Sequence, residues 1–359
     1  MTAPRLEIDL RKIHHNTRSL VERLRERGIG VTGVTKATLG SSEVACAMLQ
    51  AGANRLGDSR IENIEAMRRA GVDAPMSLIR SPMVSQVERV VAQADTSFNA
   101  EPEVVRRLSA AAQAAGRVHG VVLMVELGDL REGLMPGDLE SAVQDTLRLP
   151  NIVLEGIGSN LACRSGVKPD ARNMAELSGL ANSIERTFGV RLETVSGGNS
   201  GNLGWALGES GPGRVNDLRL GEAILLGCEP LQRQPVAGLC PDAITLIAEV
   251  IETKLKPSLP WGDRGQSAFG AGAADLDRGP VVQSIVALGH QDTDPLGLGL
   301  PQGFTMLGAS GDHLIISSRN RQLAVGEEVA FQLNYSALVR AMTSPFVARV
   351  IKGDDGLMR

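Results

Sequence analysis

Aromatic side chains are scarce in this chain. They make up 3% of the 359 residues, and Tyr335 is the single tyrosine. Aliphatic side chains must therefore build the core, and any chemistry needing an acid–base tyrosine has one candidate. The four cysteines, Cys46, Cys163, Cys228 and Cys240, show no CxxC or other metal spacing and are too few for a disulfide framework. His14, His15, His119, His290 and His313 are scattered, with no HExxH, so no metal site is expected. Apolar runs stop short of a bilayer span, which argues against a membrane partner. There is no basic excess either: 37 Lys+Arg against 41 Asp+Glu leave a net charge of -4, which excludes a nucleic-acid footprint. Met1–Leu10 carries Arg5, Glu7 and Asp9 and no apolar stretch, so no secretory signal is expected. What remains is a soluble cytoplasmic protein that handles a small molecule.

The composition, 43% hydrophobic and 22% charged, is ordinary for globular proteins, and the length suggests two domains. The first two-thirds of the chain alternates apolar runs with helical periods. Strands are predicted at Val31–Lys36, Asn54–Ser59, Met76–Arg80, Asp95–Asn99, Gly120–Leu127, Leu154–Asn160, Leu192–Gly198 and Asp217–Gly221. Helices are predicted over Arg60–Ala70, Glu101–Ala115, Leu139–Leu147 and Asp170–Phe188. Ile61, Ile64 and Met67, like Leu108, Ala111, Ala112 and Ala115, have the i, i+3, i+4 spacing of a buried face. Eight strands, each followed by a connection, is the count of a (β/α)8 barrel. The alternative, an open doubly wound sheet, would be expected to carry a nucleotide fingerprint, and no G-x-G-x-x-G follows a strand here. Beyond about Pro235 short β-rich runs replace the alternation, at Ala243–Glu252, Val281–Leu288, His313–Ser318 and Glu328–Leu333, with one helix at Ser336–Met342. The reading is a barrel over residues 1–234 followed by a mostly antiparallel β domain over 235–359.

In such a barrel the active site lies at the C-terminal ends of the strands. The predicted strands deliver there, in order, Lys36, Asp58–Ser59, Arg80, Asn99, Glu126 with Asp129 and Arg131, Asn160, Ser196–Ser200 and Arg219. Ordinary turn chemistry also places polar residues at strand ends, but so many ionisable ones suggest a site. Lys36 follows Gly-Val-Thr within an apolar strand. Burial there would lower its pKa and free the amine as a nucleophile or Schiff-base former, whereas the bland reading is a lysine snorkelling to the rim. Ser196-Gly-Gly-Asn-Ser-Gly201 offers close backbone approach with hydroxyl and amide donors, where barrels of this class hold phosphate; alone it reads as a flexible turn. A Schiff-base lysine opposite a phosphate cradle suits pyridoxal 5'-phosphate.

With those residues in view the chain resembles the fold-type III pyridoxal-phosphate enzymes of the alanine racemase superfamily, most closely the alanine/ornithine racemase-like branch. Val34-Thr-Lys-Ala37 resembles the cofactor-lysine strand, which implies that Lys36 carries the cofactor as an internal aldimine. Gly128-Asp-Leu-Arg-Glu-Gly133 resembles the glycine-rich motif whose arginine, here Arg131, lies beside cofactor and substrate. Gly158-Ser-Asn-Leu-Ala162 is similar to the segment that usually offers a histidine to the ring, with Asn160 in its place. Asn199-Ser200 is similar to the phosphate-binding pair. Arg219-Leu-Gly-Glu-Ala-Ile-Leu-Leu-Gly227 resembles the segment whose arginine faces the pyridine nitrogen and whose following backbone, at Gly221 and Glu222, holds the phosphate.

Two departures matter. Alanine racemase takes its second base from a tyrosine of the partner subunit, and the similar segment here, Gly265-Gln-Ser-Ala-Phe-Gly270, offers Phe269. The residue four after Lys36, another tyrosine in alanine racemase, is Gly40. Both changes imply room beyond an alanine methyl. Tyr335, Cys163, Asp292, His290, Asp312 and His313 are the reachable proton carriers. The resemblance favours Asp312 and His313, whose loop counterpart enters the partner's active site; the bland reading of His313 is a hydrogen-bonded β-domain residue. The expected function is pyridoxal-phosphate-dependent racemisation of an amino acid, of ornithine or a similar basic one, by a homodimer with shared active sites. The alternatives are a lyase on the same scaffold, such as a β-hydroxy amino acid aldolase or dehydratase, and a non-catalytic pyridoxal-phosphate carrier.

Overall fold

The protein is described by a computed structural model covering residues 3–266, 269, 277, 279–318 and 321–353. It divides into two units, Leu10–Cys240 and a second made of the N-terminal residues up to Asp9 together with Pro241–Gly353.

The chain opens with strand β1 (Arg5–Asp9), which belongs to the second unit, and enters the first through helix α1 (Leu10–Arg25). The first unit is a closed barrel of eight parallel strands, as the alternation predicts: β2 (Gly30–Val34), β3 (Arg55–Asp58), β4 (Met76–Leu78), β5 (Thr96–Asn99), β6 (His119–Met124), β7 (Ile152–Gly158), β8 (Thr194–Ser196) and β9 (Asp217–Leu220). β9 closes on β2, with Thr32 opposite Arg219. Strands covered on both faces cannot alternate, and β6 shows why the pattern was legible: all six residues of His-Gly-Val-Val-Leu-Met are buried. Among the described residues the connecting helices are α2 (Ser42–Gln50), α3 (Ile61–Arg69), α4 (Val87–Gln93), α5 (Pro102–Ala114), α6 (Leu139–Leu147), α7 (Ala171–Phe188), α8 (Leu203–Ala206) and α9 (Glu222–Leu226). Their ends follow local chemistry. Proline occupies the first turn of α5, and Asp170 and Asn173 cap α7 reciprocally. The expected face of α3 is buried. That of α5 shifts: Val104, Val105, Leu108 and Ala112 face inward, whereas Ala115 is exposed beyond the helix end. Alanine carries too little apolar area to mark a face.

The second unit is a mostly antiparallel sheet built from β10 (Ile244–Pro257), β11 (Pro280–Val286), β12 (Leu298–Gly299), β13 (Phe304–Ala309), β14 (Leu314–Ser318), β15 (Glu328–Leu333) and β16 (Ala348–Lys352), with α10 (Tyr335–Thr343) before the last strand. Its order is β12-β15-β10-β11-β14-β13. β1 lies antiparallel to β10 and parallel to β16, pairing Leu6 with Leu246 and with Arg349. β15 alternates cleanly, burying Val329, Phe331 and Leu333. Arg5 of β1 donates to both carboxylate oxygens of Glu328, at 2.5 and 2.8 Å, and to Glu7 at 3.0 Å.

Candidate active site

The C-terminal mouth of the barrel gathers the barrel residues singled out from the sequence. Lys36 follows β2 and opens a single 3-10 turn, Lys36–Thr38, which reverses through left-handed Leu39 and Gly40. Thr35 anchors that turn, donating to Asp58 Oδ2 at 2.8 Å. Asp58 is fully buried and also accepts from the Arg60 amide at 2.9 Å and Asn63 Nδ2 at 3.0 Å. Burial still pushes its carboxyl above the ordinary range. Burial holds the Lys36 ammonium below its usual pKa. Arg131 and Arg219 push the same way, while Cys163 and Asp58 oppose them. Gly40, at φ +66°, suits glycine, because a Cβ there would approach Asn63 Cβ and its carbonyl oxygen at 2.8 Å.

Arg219 is the buried cation of the site, with 5% of its surface exposed. Its Nη2 donates to the Ser159 carbonyl at 2.8 Å and to Asn160 Oδ1 at 3.2 Å, and its Nη1 donates to Ser196 Oγ. The Phe98 ring, packed with Val122 and Met124, lies 5.0 Å from the guanidinium carbon. Asn160 Oδ1 also accepts from Asn199 Nδ2 at 3.2 Å, while Asn160 Nδ2 is buried with no partner among the described residues. Asn199 Nδ2 further reaches the Leu161 carbonyl at 2.7 Å and Cys163 Sγ at 3.4 Å, and its Oδ1 accepts from the Gly201 amide at 2.7 Å. The Asn199 side chain is thus spent on shaping the turn after β8. Ser200 Oγ accepts from the Ala223 amide at 3.1 Å and so ties that turn to the start of α9. Gly198, at φ +144°, must be glycine, because a Cβ would fall 2.2 Å from Asn202 Oδ1.

Arg131 stands on the loop after β6, which the Glu126 carboxylate closes by accepting from the Gly128 amide at 2.6 Å and the Arg131 amide at 3.1 Å. Asp129 binds this loop to the one after β7 through the amides of Arg164 and Ser165, at 2.9 and 3.0 Å. The Arg131 guanidinium pairs with Glu132. Glu222, at the start of α9, has its carboxyl pushed up to about 7 by burial, despite the pull of Arg233 and Lys36. Exposed apolar side chains, Met83, Val84, Leu130 and Met135, sit on the loops after β4 and β6.

Asp312 and His313 lie in the other unit, on the turn between β13 and β14. His313 Nδ1 is 2.8 Å from Asp312 Oδ1, and Ser310 and His313 close the hairpin. Of the segment Gly265–Gly270, Ser267, Ala268 and Gly270 lie outside the described residues, and Phe269 stacks on His290 with ring centroids 4.1 Å apart. Asp292 is spent on the Gly289 amide at 2.9 Å. Two residues of the barrel site escaped the sequence reading. Phe98 and Asp217 both touch the Arg219 network, and the two-residue step from Asp217 to Arg219, which puts them on one strand face, is the signal that could have exposed the second. Among the described residues no helix is long and apolar enough to cross a membrane.

The alanine racemase N-terminal domain model matches residues 8–229. The chain is 38% identical to a lysine racemase of Thermotoga maritima, over 98% of this chain and 99% of the relative. It is 34% identical to an ornithine racemase of Acetoanaerobium sticklandii, over 96% and 99%. Among solved structures it is similar to alanine racemase from Streptomyces coelicolor A3(2), with TM-score 0.76 and 22% identity over 97% of this chain and 98% of that one. It is also similar to alanine racemase from Bartonella henselae with covalently bound pyridoxal phosphate, with TM-score 0.74 and 16% identity over 98% and 100%. At such identities the structural likeness speaks for the fold.

Proposed function

We propose, from the premise that this chain belongs to the alanine racemase family, that it is a pyridoxal-phosphate-dependent racemase of basic amino acids such as ornithine or lysine. The observation that carries the reading is the Lys36 amine, depressed in pKa by burial at a barrel strand end and flanked by Arg131 and Arg219. The nearly full-length kinship with proteins named lysine and ornithine racemase supports the substrate class. It also disfavours the lyase reading, and a carrier would need no second unit.

The residues present fit pyridoxal 5'-phosphate. Asn160 Nδ2, beside Arg219 and Asn199, is a buried donor without an acceptor among the described residues. Lys36 would hold the cofactor covalently. Ser200, the backbone of the turn after β8, and Gly221 and Glu222 at the start of α9 would hold its phosphate, with Asn199 shaping the cradle. Arg131 and Asn160 would flank the ring and Arg219 would face its nitrogen. When bound, the cofactor withdraws electrons from the Cα of an attached amino acid and acidifies the Cα–H bond.

Lys36, whose ammonium burial holds below its usual pKa, would take the Cα proton on one face or return it there. Both Nη atoms of Arg219 are held, one by Ser196 and the other by Ser159 and Asn160, so its guanidinium stays put. Burial lowers its pKa, yet a guanidinium binds its proton far more tightly than a pyridine nitrogen does. Arg219 would therefore position the ring nitrogen without giving it a proton, which would restrain electron withdrawal and suit proton return to Cα. One lysine cannot serve both faces of a planar centre, so a second group must act opposite Lys36. We assign Asp312 and His313 of the partner subunit's hairpin in a cytoplasmic homodimer; the exposed apolar side chains at Met83, Val84, Leu130 and Met135 support such a cover over the barrel mouth. A panel of L-amino acids offered to the purified holoenzyme in D2O tests the reading. D-Ornithine or D-lysine with deuterium at Cα is expected; cleavage of β-hydroxy amino acids without enantiomer formation would overturn it.

A further inference from the structure

Arg219 is a nearly buried cation that no carboxylate touches among the described residues, an unfavourable arrangement unless a charge reaches it indirectly. The structure supplies that charge through one hydroxyl. Arg219 Nη1 donates to Ser196 Oγ, and Ser196 Oγ donates to Asp217 Oδ2. A guanidinium has only donors, so the single Ser196 proton must point at Asp217. Thr32 Oγ1 fills the other carboxylate oxygen, Oδ1, at 2.6 Å. The register explains the placement. Asp217 and Arg219 are two apart on β9, Ser196 of β8 is paired with Asp217, and Thr32 of β2 is paired with Arg219.

We propose that Asp217, acting through Ser196, is a positioning residue for Arg219 that limits how strongly the guanidinium draws on the cofactor ring. This rests on the racemase reading above. A guanidinium whose charge is partly answered by Asp217 pulls less on an acceptor at its far side. Its direction is also fixed, since one Nη is committed to Ser196 and the other to Ser159 and Asn160. Cut at either Ser196 or Asp217, the guanidinium would be both stronger as a cation and freer to turn. The ring would then withdraw more charge from substrate, and more turnovers would end in transamination rather than racemisation.

The test uses holoenzyme carrying Ser196→Ala, Ser196→Thr or Asp217→Asn. The readouts are the absorption maximum of the bound cofactor without substrate, the fraction of turnovers ending in transamination, and the thermal midpoint. Ser196→Ala and Asp217→Asn are each expected to displace the absorption maximum and raise the transamination fraction roughly tenfold, the order expected for losing one hydrogen bond to a charged group. Ser196→Thr, which keeps the hydroxyl, is expected to restore both. If Ser196→Ala and Asp217→Asn lower the thermal midpoint but keep the parental absorption and partition, the pair is merely structural and the proposal falls. The parental protein tells this failure from that of the functional reading: if it binds no pyridoxal phosphate or racemises nothing, that reading fails and takes the relay with it.

Discussion

The two units keep their charges differently. In the barrel the ionisable groups of the site are inside, and burial moves them: Lys36 down, Asp58 up, Glu222 up to about 7. In the sheet the carboxylates of Glu7, Glu252 and Glu328 lie at or near the surface, and lysine or arginine partners hold them below the ordinary range. Its histidine at the β13–β14 turn is half-exposed beside Asp312. One unit thus holds its ionisable groups desolvated and prearranged. The other presents a hairpin whose chemistry depends on what it meets. Desolvated groups have strong, local effects, and surface pairs have weak ones.

The sharpest test of that contrast is Lys36→Ala. It should remove covalently held cofactor, read by absorbance and by borohydride fixation, and lower racemisation by about 10⁴-fold. A yellow, active Lys36→Ala protein would break the barrel side of the comparison. Next, the double variant Asp312→Asn with His313→Ala should slow racemisation by about 10²-fold or more, yet leave Cα exchange of one enantiomer with solvent intact. Racemisation at the parental rate would move the second proton carrier to Cys163, which already lies 3.4 Å from Asn199 Nδ2 in the barrel site, or to Tyr335.

Glu222 gives a smaller effect with a defined pH window. Its pKa is raised in the fold, so its contribution to stability is complete below about pH 4.5 and lost as pH rises through about 7. Glu222→Gln should remove that slope from the apoprotein's thermal midpoint between pH 5 and 8, with an effect on the order of 2 kcal/mol. A slope identical to the parent's would mean that the carboxyl is not desolvated. The smallest effect belongs to the sheet. Arg5→Ala removes a two-pronged pair with Glu328 and a contact with Glu7, and with Glu328 partly exposed it should cost about 1 kcal/mol in denaturant unfolding. A loss as large as that of a buried barrel pair would erase the distinction between the units.

The barrel strands were legible from their regular alternation with helical periods, and β6 as a nearly continuous apolar run. Lys36 stood out because a lysine directly after an apolar strand is an anomaly, although β2 itself ends at Val34 and Lys36 opens the turn beyond it. The sheet was legible as texture, and β15 to the residue, since its alternation is complete. Pairing was not. Arg-Leu-Glu-Ile-Asp at the start of the chain alternates as a strand should, but nothing local says that its neighbours are β10 and β16. The same blindness hid Asp217, whose importance comes from Ser196 on one neighbouring strand and Thr32 on the other. Register, a long-range property, joins residues that composition and spacing treat as strangers.

The pairing of β1 also sets an order of events on the ribosome. Residues 10–240 are contiguous, so the barrel has all its strands once that stretch has emerged. β1 emerges before any of it and must wait for β10, then for β16, before both its edges are covered. During that interval Leu6 and Ile8, both buried at the end, have no partner strand, and a nascent chain carries a short sticky edge ahead of a folding barrel. The ionic flanks Arg5, Glu7 and Asp9 sit on either side of those two apolar residues, where charge keeps such an edge from pairing with another chain.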